Sequence, residues 1–182
     1  EEKCDALVLA LGASPVVPSI PGVNLPHVVA AEDVLTGRAV ARGAVIVIGG
    51  GLVGCETAEF ILERNGEGTT VTVLEMLDRL APTISPTYRP FFLARLKKMG
   101  IRMETHTRVL EIAADGVRVD RKGSADFIPG SAVVVAVGLK PDPGLAEPFH
   151  GLAPEIHRIG DFDQPRMIKE AIAEGFEAGI KI

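Results

Sequence analysis

Glycines 49, 51 and 54, placed directly after the apolar run Ala44 to Ile48, constrain this chain more than any other feature. An apolar run of strand length ending at glycine reads as a buried strand. Leu52 to Glu63, with Val53, Ala58, Phe60, Ile61 and Leu62 in mostly helical spacing, reads as the helix behind it. Gly-x-Gly-x-x-Gly between such a strand and such a helix is the turn that accepts a dinucleotide diphosphate. Gly49 makes the tight turn, Gly51 leaves out the side chain where pyrophosphate approaches the backbone, and Gly54 lets the helix pack closely on the sheet. The N–H groups at the helix start, where Leu52 and Val53 lie, and the helix dipole supply the anion site.

Glu75 closes the next strand-like run, Thr70 to Glu75, near the spacing of about 20 residues at which an acidic side chain meets the adenosine ribose. Its carboxylate can accept hydrogen bonds from ribose hydroxyls and repels a 2′-phosphate. NAD(H) is therefore expected over NADP, although Arg79 and Arg121 leave NADP open. Glu56, expected in the first turn after the glycine loop, either helps to orient nicotinamide or complements the helix dipole.

Strand and helix patterns then alternate: helix Thr87 to Met99, strand Ile101 to Glu104, and shorter strands near Arg108 to Ile112 and Val117 to Val119. This predicts an α/β fold with a central parallel sheet and an added antiparallel β-ribbon. Ala6 to Pro15 and Ala132 to Pro141 echo one another, each a buried strand, then glycine (Gly12, Gly138), then proline three positions later. Bracketing the nucleotide unit, they read as crossings into and out of an inserted domain. The expected organisation is an opening segment over 1–40, a nucleotide-binding domain over 41–125, and a return strand with a closing segment over 126–182. In that closing segment Gly160-Asp161 forms a turn, and Pro165 is expected at the first position of a helix presenting Ile168, Ala171 and Ile172 on one face.

A net charge of −5 with dispersed Lys and Arg argues against a nucleic-acid partner. The apolar runs fall short of the roughly 18 to 20 residues of a membrane helix. No signal peptide is visible, and a cytoplasmic protein with no membrane partner is expected. Cys4 and Cys55 form no Cys-x-x-Cys, and the four histidines have no ligand spacing, so neither a dithiol centre nor a metal site is expected. Cys55 lies close to the helix start, where the dipole lowers a thiol pKa, but a small buried cysteine is the commoner outcome. A short-chain type dehydrogenase is disfavoured, since Tyr88, the single tyrosine, has Phe92 rather than lysine four positions on.

These pieces together resemble the two-dinucleotide-fold FAD/NAD(P)-dependent flavoprotein reductases, over essentially the whole chain. Asp5 to Gly12 resembles their crossing strand, Gly49 to Glu56 their NAD fingerprint, and Ala132 to Pro141, with Gly138, their return strand. Gly160-Asp161 resembles the motif whose aspartate contacts the FAD ribityl chain. The run Gly160 to Gly179 is most similar to the C-terminal end of the NADH:flavin oxidoreductase, enoate reductase, 2,4-dienoyl-CoA reductase and trimethylamine dehydrogenase group.

The resemblance implies a Rossmann-like NAD(P)-binding domain flanked by the C-terminal remnant of an FAD-binding domain. It also implies NADH and flavin as partners, with hydride passing from NADH to FAD. Gly12, Gly160, Asp161, and the backbone around Arg166 and Met167 would meet FAD, the last two at the flavin pyrimidine edge. An FAD glycine fingerprint is not found before Cys4, so the chain reads as a fragment, inactive by itself and with no catalytic residue of its own. The full-length protein would add an upstream barrel with FMN and an iron–sulfur cluster, and a homo-oligomer stays open. Leu11 departs from the threonine usual at this crossing. An NAD-binding or regulatory module without chemistry is the alternative reading.

Overall fold

The computed structural model describes residues 4–182; Glu1 to Lys3, the start of the expected opening segment, lie outside it. In chain order the first elements are β1 (Ala6–Leu9), β2 (Ser14–Pro15), β3 (Val28–Ala30), α1 (Ala31–Leu35), β4 (Ala44–Ile48) and α2 (Leu52–Asn65). There follow β5 (Thr70–Leu74), α3 (Arg89–Lys98), β6 (Arg102–Glu104), β7 (Thr107–Ala113), β8 (Gly116–Arg121) and β9 (Ser124–Pro129). The last are β10 (Ala132–Val135), β11 (Leu139–Lys140), β12 (Glu155–Arg158) and α4 (Ile168–Lys181), with 3-10 turns at Pro143–Phe149 and Gly160–Phe162. The chain forms two compact units: Val17–Gly138, and the described residues up to Val16 together with Leu139–Ile182. The sequence-based lines at 40/41 and 125/126 thus differ from the divisions at 16/17 and 138/139.

In Val17–Gly138 five strands form a parallel sheet in the order β3-β10-β4-β5-β6. Strands β4 and β10 are buried on both faces, which is why they read as continuous apolar runs rather than alternating ones. Val45 and Val47 point into a core with Cys55, Ala58 and Ile61 of α2 and Phe92 and Leu96 of α3. Ile46 and Ile48 point the other way, into a core with Val109, Ile112, Val117, Val119 and Ile128. That second cover is an antiparallel sheet of three strands, β7-β8-β9. The ribbon expected from sequence had two. Ser124–Pro129 escapes a periodicity test because only Ile128 of its six residues is buried.

Ala132–Val135, expected as a return strand outside the nucleotide unit, instead lies inside its sheet, pairing in parallel with β3 on one side and β4 on the other. Val133 and Val134 are fully buried there, one on each face. A continuous apolar tetrapeptide is what an interior position of a parallel sheet requires. The chain leaves β4 towards β5, while β10 and β3 occupy its other side, so the carboxyl end of β4 is the switch point of strand order where open α/β sheets bind ligands.

The other unit pairs β1 with β12 in parallel and β2 with β11 antiparallel, around a small core of Leu9, Ala146 and Phe162. Helix α4 begins at Ile168 with Met167 as N-cap, not at Pro165. Two features hold the preceding residues out of the helix. Asp163 and Gln164 both donate N–H bonds to Gly160 O, closing the 3-10 turn, and Arg166 N–H donates to Asp161 Oδ1 at 3.2 Å. Along α4, Ile168, Ile172, Phe176 and Ile180 recur every four residues as one row, and each is at least 68% exposed. Among the described residues no helix is long and apolar enough to cross a membrane, and no group of three or more His, Cys, Asp or Glu is placed to hold a metal.

Candidate functional site

Three glycines at the end of β4 do three different jobs. Gly49 has φ +108, and a Cβ on it would lie 2.3 Å from Ala136 O, the backbone just beyond β10. Gly54 sits so close to the loop that its Cβ would lie 1.9 Å from Gly49 O. Both positions are closed to a side chain by backbone that cannot withdraw. Gly51 is the opposite: φ is an ordinary −64, and a Cβ would meet no atom within 4 Å. Glycine at that place is therefore not a requirement of the chain's own packing.

Gly51 is the N-cap of α2 and offers no side-chain cap, and Cys55 N–H is the first of the helix to bond back, to Gly51 O at 3.1 Å. The N–H groups of Leu52, Val53 and Gly54 have no intrahelical acceptor by position. A cradle without a Cβ, in front of unpaired N–H groups at the positive end of a 14-residue helix, fits a diphosphate. Glu56 is the fifth helical residue, past the first turn and exposed, so the dipole-complementing role considered for it does not apply. Gly138, with φ +109 and no atom within 4 Å of a Cβ, follows β10 in the same unit.

Glu75 directly follows β5, and its carboxylate grips two loops. Oε2 accepts the N–H of Gly50 at 2.8 Å, and Oε1 accepts the N–H of Leu77 at 2.8 Å. Gly50 O accepts the Ala81 N–H at 2.7 Å and the Cys55 thiol at 3.6 Å. Sequence reasoning missed Gly50, Leu77 and Ala81. The signal available was the uninterrupted Gly49-Gly50-Gly51, whose middle residue the motif leaves free. Arg121, which had left NADP open, is committed elsewhere: it pairs with Glu104 at 2.7 Å and with Asp126.

Cys55 is fully buried, and desolvation, with the charges of Glu75 and Glu56, pushes its thiol up from 9.0 to about 12. Burial is the largest cause of the shift. Native protein at pH 8 should accordingly show one reactive thiol, Cys4, which is exposed, and two after denaturation in a colorimetric thiol titration. Below pH 9 both states hold the Cys55 proton, whereas above it the unfolded chain releases it and the folded chain does not. Stability from this group is thus lost as pH rises from 9.0 towards about 12, and a Cys55→Ala variant should show a shallower alkaline decline in urea titrations.

In the second unit Gly12, Gly160, Asp161, Arg166 and Met167 all line one cavity of about 440 Å³, together with the first turn of α4. Gly12 and Gly160 have φ of +75 and +63. Asp161 is half-buried, and since Arg166 N–H is spent on it, the Arg166 amide is not free for a ligand edge. The N–H groups of Ile168 and Lys169, in the first turn of α4, are the ones without intrahelical acceptors. Glu174, which the sequence did not suggest, accepts Gly160 N–H at 2.7 Å and pairs with Arg166.

Comparison with known proteins places the chain in a family. The model of the family described as pyridine nucleotide-disulphide oxidoreductase matches residues 1–173. The chain belongs to this family. Reductases of the family are flavoproteins that bind FAD and NAD(H). The chain is 34% identical over 178 residues to the bilirubin reductase of Mediterraneibacter gnavus, covering 97% of this chain and 27% of that protein. It is 36% identical over 184 residues to the NADH oxidase of Thermoanaerobacter brockii, covering 98% and 28%. The solved structure of a 2-naphthoyl-CoA reductase complex superposes with a TM-score of 0.90 at 32% identity, over 98% of this chain and 27% of that one. The chain therefore spans little more than a quarter of the length of these relatives. The disulphide in the family's name has no counterpart in a Cys-x-x-Cys here, where the cysteines are free, one exposed and one buried.

Proposed function

We propose that this chain is the nucleotide-binding unit and a flavin-binding segment of an NADH-dependent flavoprotein oxidoreductase. The observation that carries the reading is Gly51: among the described residues no atom lies within 4 Å of the place its Cβ would take, and the missing side chain leaves the amides of α2 approachable by an anion. Bound NADH would supply a hydride and bound FAD would accept it, passing electrons onward in the full-length protein. The chain's own part is to hold and orient. Leu52, Val53 and Gly54 would present N–H groups to the diphosphate, and Glu75 would accept ribose hydroxyls. Gly138 and Glu56 would lie towards the nicotinamide. Gly12, Gly160, Asp161 and Met167 would hold part of FAD, with Asp161 on its ribityl chain and the α4 amides on the flavin edge.

The exposed row on α4 and the two-stranded β1–β12 sheet support reading this unit as part of a larger flavin domain. A lone strand pair is marginal in water, and monomeric proteins seldom leave such a row uncovered. The similarity of the C-terminal run to the enoate reductase group favours that group, whose upstream module would carry FMN and an iron–sulfur cluster.

The test is nucleotide choice. NADH should bind the purified chain more tightly than NADPH in calorimetric titrations, because the Glu75 carboxylate repels a 2′-phosphate. Glu75→Ala should narrow the gap by about 1 to 3 kcal/mol. Equal affinities of the unaltered chain for the two nucleotides would contradict the assignment.

A further inference from the structure

The Glu75 carboxylate already has work to do without a nucleotide. Gly50 is buried, and both of its backbone polar groups are held, the N–H by Glu75 and the C=O by Ala81 and Cys55. A Cβ on Gly50 would come 2.2 Å from Leu80 Cδ2 and 2.8 Å from Glu75 Cβ, so the Glu75–Ala81 segment closes directly over it. Leu77 N–H ties the same segment to the other carboxylate oxygen.

We propose that Glu75 is a positioning residue that sets the glycine loop in its anion-binding shape before any nucleotide arrives. The proposal rests on the dinucleotide reading and adds to it. A carboxylate offers about four lone-pair sites. Two serve Gly50 and Leu77, and the others stay open to ribose hydroxyls. One side chain thereby couples the ribose end of the site to the diphosphate end. Its removal leaves a buried Gly50 N–H without an acceptor, and the loop must shift to satisfy it. Binding should then weaken even for a ligand that has no ribose hydroxyls to offer.

The experiment compares ADP with 2′,3′-dideoxy-ADP on the unaltered chain and on Glu75→Ala. Loop positioning predicts that the substitution weakens dideoxy-ADP by about tenfold, and ADP by more, one buried unsatisfied N–H being of that order. A role confined to the ribose predicts a loss for ADP and none for dideoxy-ADP, which overturns the proposal. Hydrogen exchange of the Gly50 amide without nucleotide is the second readout. It should quicken by about tenfold in Glu75→Ala while the core amides of Val47 and Val73 keep their protection. Unchanged Gly50 exchange would likewise overturn the proposal. If neither diphosphate binds the unaltered chain, the dinucleotide reading fails while Gly50 exchange still decides the positioning role. Should Glu75→Ala lose its circular dichroism, Glu75→Gln replaces it, keeping the packing while offering one acceptor oxygen and an opposed NH₂.

Discussion

Gly51→Val should lower NADH affinity by about 100-fold or more, equivalent to about 2.7 kcal/mol, with an unchanged circular dichroism spectrum. The backbone tolerates the substitution, since φ is −64 and ψ −178, an extended conformation open to any residue. Space tolerates it as well, because a Cβ meets nothing within 4 Å. What valine takes up is the approach to the α2 amides. Branched methyl groups there hold an anion beyond hydrogen-bonding distance, and charge-assisted bonds to N–H groups weaken steeply with distance and angle. Calorimetric titration with NADH measures the loss. A folded variant that bound NADH undiminished would place the nucleotide elsewhere and leave the glycine without a reason.

Gly54→Ala, a smaller change three residues on, should instead damage the fold. Its Cβ would sit 1.9 Å from Gly49 O and 3.1 Å from Gly49 C, backbone atoms of a loop already fixed by Gly49 N–H to Leu74 O at 2.9 Å and by Ala136 against its other side. No side-chain rotation relieves that contact. Either α2 moves away from the sheet or the loop is displaced, and α2 carries Cys55, Ala58 and Ile61 of the core. Overpacking of this kind costs about 1 to 3 kcal/mol, and a backbone clash belongs at the upper end. Urea unfolding followed by circular dichroism should show a clearly lower midpoint for Gly54→Ala than for Gly51→Val. Equal midpoints would mean that the helix and loop are not in the contact described. The pair separates two glycines that a motif treats alike.

The motif was legible because each of its demands is local. A positive φ at Gly49, a strand-length apolar run before it and a helical spacing after it are written in consecutive residues. Elements whose identity depends on partners were misread. Ala132–Val135 looks the same whether it leads out of a sheet or lies within one, and Ser124–Pro129 is a strand because β8 pairs with it, not because its side chains alternate. The start of α4 was displaced by three residues because Asp161 takes the Arg166 N–H, a bond between groups five residues apart that no helix-start signal contains.

By itself, then, the sequence determined that a buried parallel strand turns through glycine into a helix, with an acidic residue ending the next strand. Those features follow from dihedral freedom, side-chain size and periodicity, which belong to neighbouring residues. Only the tertiary structure decided that Gly49 and Gly54 are held by backbone contact while Gly51 is not, that Cys55 is buried with its thiol pushed up to about 12, and that Glu75 binds the Gly50 amide. Each of these depends on how closely atoms from separate segments approach, and that distance is set when the sheet, its helices and its loops pack together.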